Sequence, residues 1–196
     1  MSKELNLIYE QVARRCAGLE LEGRAIMVGV NGPDSVVNAG VAKGLKTHLA
    51  GAGREVAVFH LESCADAEVR QEILAGLKGG VTPELAQRFC EEGIDYALAR
   101  QSLQEQAEGK DIVIAEGIFL YTGALADVFD LRVYLDAEPD AVAGRMAAAG
   151  ARGEAFEALV APGFAHYVAE YGPMTGADLV VDVNDPRQPR VVTAVG

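Results

Sequence analysis

The chain is short of cysteine, of basic residues and of long apolar runs, and each shortage removes a class of protein. Its three cysteines, Cys16, Cys64 and Cys90, are odd in number and widely spaced. They fit neither a zinc-ligand spacing nor a disulfide framework, and read as the reduced thiols of a cytoplasmic protein. Seventeen lysines and arginines face twenty-nine aspartates and glutamates, for a net charge of −12 at pH 7. A surface that acidic repels phosphate backbones and anionic lipid, which argues against nucleic acid or a membrane surface as partner. No apolar run approaches the roughly 18 residues that span a bilayer. The opening MSKELNLIYEQ carries charges where a signal peptide needs its apolar stretch. Any anionic ligand must therefore be held by a local set of donors, against the field of the whole molecule.

What is present is an alternation of apolar runs with helical segments. Residues 3–20 place Leu5, Ile8, Val12, Cys16 and Leu19 at helical spacing, and Gly23 closes the segment. Five continuous apolar runs follow, at 25–30, 55–60, 111–117, 130–137 and 177–183, each suited to a strand buried on both faces. Between them lie segments of helical composition, at about 40–53, 66–78, 83–108, 139–149 and 154–171. Asp95 can cap the helix that follows it, and Pro139 stands at a first helical position with Asp140 in the first turn. After NDPRQPR, a polar turn, comes the short apolar stretch VVTAV. Residues 1–196 read as one α/β domain, a three-layer sandwich around a five-stranded parallel sheet.

In open α/β sheets ligands bind beyond the carboxyl ends of the strands. The segment there after the first strand is Gly32-Pro33-Asp34-Ser35-Val36-Val37-Asn38-Ala39-Gly40. A phosphate-cradling loop occupies this place in P-loop proteins, with the form G-x-x-x-x-G-K-[ST]. Counted from Gly32 the length agrees, but Val37 stands in place of glycine, Asn38 of lysine and Ala39 of serine or threonine. At positive φ a β-branched Val37 would be strained and would keep a phosphate from the backbone.

RAIMVGVNGPDSVVNAGVAKGL resembles the start of the uridine kinase-like group of P-loop kinases. The resemblance runs on in order through FHLESC (59–64), FCEEGIDYALARQSLQE (89–105), DIVIAEGIFLY (111–121), FDLRVYLDAEPDAVAGRM (129–146) and APGFAHYVAEYGPMTGADLVVD (161–182). It implies a P-loop nucleoside triphosphate hydrolase/kinase fold with an N-terminal helix at 3–22, an acceptor-site segment at 62–108 and a lid-like region at 139–172. By the same resemblance Glu62 stands where the family places the base toward the acceptor hydroxyl. Glu116 stands where it places an acid near the metal or its waters. Arg145 and Arg152 flank the lid, and residues 32–40 with Arg145 are the candidates for holding ATP with Mg²⁺.

The departures fall on the chemistry. The family's lysine reaches the terminal phosphates and its hydroxyl residue binds Mg²⁺; Asn38 is neutral and short, and Ala39 offers no oxygen. Lys43 and Lys46 lie more than a helical turn beyond the loop, and RMAAAGAR is poor in arginine for a lid. Asp34 can contact a metal or simply turn the chain. His60 and Cys64 are too few for a metal site, no other metal site is expected, and His166 with Tyr167 reads as packing or surface. Three functional readings stay open. The first is a kinase-fold protein that keeps a small-molecule, nucleotide or phosphate ligand and in which phosphotransfer is impaired or lost. The second is an active kinase acting on a nucleoside-like or sugar-like hydroxyl. The third is a partner-binding module.

Overall fold

A computed structural model describes residues 3–19, 23–149 and 154–194. The elements are α1 (Lys3–Gly18), β1 (Ile26–Asn31), α2 (Ser35–Gly51), β2 (Val56–His60), α3 (Ala67–Gly76), α4 (Pro83–Glu91), α5 (Tyr96–Ala107), β3 (Ile112–Gly117), β4 (Leu131–Asp136), α6 (Pro139–Ala149), α7 (Glu154–Tyr171), β5 (Leu179–Asp182) and β6 (Arg190–Ala194). The sheet order is β2-β3-β1-β4-β5-β6. The first five strands run parallel, and β6 is antiparallel to β5.

All five expected strands are present, and the sheet has six rather than five. VVTAV is the addition. A polar turn, in which the Gln188 amide donates to the Asp185 carbonyl at 2.9 Å, reverses the chain and lays Arg190–Ala194 beside β5. Alternate residues of the central strands feed two cores, as strands covered on both sides require. On one face Met27, Phe59, Val113 and Ala115 pack with Phe89, Leu103, Leu159 and Tyr167 from α4, α5 and α7. On the other, Val28, Val30, Ile114 and Val133 pack with α1 and α2 through Ile8, Val12, Val41 and Leu45.

Two helical segments differ from expectation. The stretch 83–108 is two helices, because Glu92–Asp95 breaks it and the Asp95 carboxylate caps α5 by accepting from the Leu98 amide at 2.8 Å. The helix expected from about residue 40 begins at Ser35 instead. Asp34 is a strong N-cap, and none of the five residues after it is a glycine or proline that would oppose helix. The interval between β1 and α2 is thus only Gly32-Pro33-Asp34.

Helix α1 lies close on α2 at Gly44, where a Cβ would sit 2.1 Å from the Tyr9 hydroxyl oxygen and 2.6 Å from its Cζ. At Gly40, in the same helix, a Cβ would meet nothing within 4 Å. The two glycines should therefore respond oppositely to alanine. Gly40→Ala is expected to gain about 0.5–1 kcal/mol from helix propensity, and Gly44→Ala to lose about 1–3 kcal/mol to overpacking. Urea-denaturation midpoints of the two variants check this pair.

Candidate functional site

The carboxyl ends of β2, β3, β1 and β4 bring the sequence-predicted residues to one edge of the sheet. At its centre the chain leaves β1 and turns into α2. Asp34, 2% exposed, sits at the N-cap. Its Oδ1 accepts from the Val36 and Val37 amides at 3.0 and 3.1 Å. Its Oδ2 accepts from Arg145 Nε at 2.6 Å. Arg145 comes from α6, 111 residues further along the chain, and its Nη1 donates to the Asn184 carbonyl at 3.0 Å.

An α-helix N-terminus carries unsatisfied N–H groups and roughly half a positive charge, which is why anions bind there. Here that place holds a carboxylate of the chain itself, neutralised by an arginine of the chain itself. Val37, which positive φ would strain, lies within α2 in ordinary helical backbone, so the expected steric penalty does not arise.

Asn38 is fully buried and turned inward: its Nδ2 donates to the Gly32 carbonyl at 2.9 Å. The carbonyl that Asn38 ties back belongs to a glycine packed hard on β4. A Cβ at Gly32 would stand 2.5 Å from the Leu135 carbonyl oxygen and 2.9 Å from Asn38 Oδ1. Gly32, Pro33 and Asp34 are all buried, whereas Val36 and Gly40 are exposed, with Ser35 and Ala39 between the two. Lys43 and Lys46 point away as exposed residues of α2. Among the described residues the cation that reaches this turn is Arg145; Arg152 lies outside the described residues.

The two candidate acids occupy the next two strand ends. Glu62, in a short 3₁₀ turn after β2, gives both oxygens to Arg70 of α3, at 2.9 and 3.0 Å. Arg70 Nε also donates to the Gly93 carbonyl at 2.7 Å, and its guanidinium stands 5.6 Å from the Phe89 ring centre. A planar fork matched to a carboxylate in this way fixes both partners.

Glu116 ends β3 opposite His60 of β2 and is 6% exposed. His60 Nδ1 lies 2.6 Å from Glu116 Oε1, while the His60 side chain is 56% exposed. Sequence reasoning weighed His60 only as a partner for Cys64 and missed this pair. The signal lay in the strand pattern: His60 and Glu116 both end apolar runs, and parallel pairing of those runs puts them side by side. His166, read as packing or surface, bonds Glu91 Oε1 through Nε2 at 3.0 Å and ties α7 to α4. Tyr167 is fully buried and accepts from the Tyr121 amide at 2.8 Å.

The five parallel strands lie in the order β2-β3-β1-β4-β5, with the β1–α2 turn at the centre and α6 tied to it through Arg145. Among solved structures, the chain is similar to one described as a possible uridine kinase from Bacillus stearothermophilus. The TM-score is 0.66 at 18% identity, over 90% of this chain and 98% of that one. It is also similar to D-glycerate 3-kinase from Cryptococcus neoformans var. grubii, with a TM-score of 0.56 at 13% identity over 95% and 98% of the two chains. No family model matches the sequence, and no curated protein matches it either. The fold is thus that of the uridine kinase-like P-loop kinases.

The Glu62–Arg70 fork generates a prediction. Arg70→Ala removes the partner of a half-buried carboxylate and the donor to Gly93, and should lower stability by about 2–3 kcal/mol. Arg70→Lys should recover only part of that, because an ammonium cannot form the fork. Chemical-denaturation curves of both variants read the difference.

Proposed function

We propose that the chain is a uridine kinase-like kinase-fold protein that has lost phosphotransfer, its phosphate site being closed by its own Asp34–Arg145 pair. The observation that carries the reading is the Asp34 carboxylate on the Val36 and Val37 amides with Arg145 at its other oxygen. ATP with Mg²⁺ does not fit the residues present. Asn38 is turned back onto Gly32, and Ala39 has no oxygen for a metal. Gly32 through Gly40 and Arg145 remain the residues a phosphate ligand would meet, and such a ligand gains them only by displacing Asp34.

A carboxylate and a phosphate compete for the same donors, so removing one should admit the other. The wild-type protein should bind neither ATP nor pyrophosphate in calorimetry, with or without Mg²⁺. Asp34→Ala loses a helix cap and leaves a half-buried guanidinium without its acid, at a cost of about 2–4 kcal/mol. Millimolar pyrophosphate should raise the melting temperature of that variant and leave the wild type unmoved. Tight, Mg²⁺-dependent ATP binding by the wild type would favour the active small-molecule kinase instead. That reading draws on the acceptor side, where Glu116 and His60 stand together at the strand ends.

A further inference from the structure

A cavity lies beside the closed turn, with Pro33 of that turn in its lining. It has a volume of about 590 Å³ and opens between the carboxyl end of β4 and helices α6 and α7. That is within the roughly 300–1,000 Å³ of sites that hold small organic molecules. Its walls are apolar and partly aromatic: Tyr134, Val142, Met146, Val160 and Phe164. Val168 and Met174 extend the apolar surface to the outside, at 41% and 44% exposed.

The charge at the cavity is of one sign. Asp136 and Glu138 both line it. Asp136 is paired in register with Asp182 of β5. The Asp136 carboxyl is held above the usual carboxylate range by burial first, and then by Glu138 and Asp182. Among the described residues no lysine, arginine or histidine forms an ion pair with Asp136 or Glu138, while Arg190 stands opposite Asp182 in the β5–β6 register, away from the cavity lining. Arg145, the cation of α6, is engaged by Asp34 and the Asn184 carbonyl. An apolar chamber whose charged groups are unneutralised carboxylates is complementary to a molecule with an apolar body and one positive end. Aromatic walls favour such a cation further.

We propose that this cavity binds a small organic amine, its hydrocarbon part against Tyr134, Met146 and Phe164 and its ammonium at Asp136 and Glu138. The inference goes beyond the closed phosphate site and shares none of its donors. An intact Asp34–Arg145 pair is compatible with either outcome below, and failure of the pyrophosphate experiment leaves this one untouched.

The test uses three probes of one shape on the whole protein: naphthylmethylamine, protonated at neutral pH, the uncharged naphthylmethanol, and anionic naphthoate. Calorimetry should show the amine binding about tenfold tighter than the alcohol, as one charge-assisted hydrogen bond supplies, and naphthoate not at all. The double variant Asp136→Asn, Glu138→Gln should bind amine and alcohol alike. Ala165→Trp, which puts an indole into the chamber, should bind none of the three. Equal affinity of the wild type for amine and alcohol, no binding of any probe, or amine preference surviving in the double variant would each overturn the proposal. The carboxylate variants change exposed or half-exposed side chains, so the comparison stands even if Ala165→Trp fails to fold.

Discussion

The centre of this molecule is a carboxylate on a helix end. Asp34 satisfies two amides that would otherwise be orphaned at the start of α2, and its charge is balanced by Arg145 from the far side of the sequence. Other features of the turn follow from that bond. With the cap in place the helix begins at Ser35, Val37 adopts ordinary helical backbone, and Asn38 falls on the buried side, where it ties down Gly32. The turn between β1 and α2 shrinks to three residues packed on β4, where a phosphate cradle needs an arch of free N–H groups.

The same pair connects two parts of the chain that are far apart in sequence. Arg145 belongs to α6, and Asp34 to the turn beneath it. Their contact, with the Asn184 carbonyl as a third party, fastens the helix after β4 to the centre of the sheet. At the ends of β2 and β3 the carboxylates are also spoken for, Glu62 by Arg70 and Glu116 by His60. The cavity between α6 and α7 is the contrasting case, since its lining carries Asp136 and Glu138 and no lysine, arginine or histidine among the described residues.

Much of the fold was legible because buried parallel strands are continuous apolar runs, and all five runs became strands within a residue or two of their expected ends. The sixth was not, since VVTAV has no periodicity of its own and becomes a strand only by pairing with β5. The break at Glu92–Asp95 was half legible, with Asp95 recognised as a cap and the preceding residues still counted as helix. At the site, the resemblance picks out Val37, Asn38 and Ala39 as departures from a phosphate loop, but not the bonds that their surroundings make. Asp34 was seen as a turn or metal contact because its partner, Arg145, is 111 residues distant, and local spacing carries no trace of such a bond. Glu62 was placed correctly at a strand end, yet its commitment to Arg70 depends on how α3 packs. His60 needed the sheet order, with β2 beside β3, before it could be set against Glu116.

A crystal structure of the wild-type protein grown with ATP and Mg²⁺ in excess tests the central claim most directly. Asp34 is expected to stay on the Val36 and Val37 amides with Arg145 at its outer oxygen, with no phosphate density at the start of α2. Density for a phosphate on those amides, with the Asp34 side chain swung out and Arg145 turned to the ligand, would contradict it.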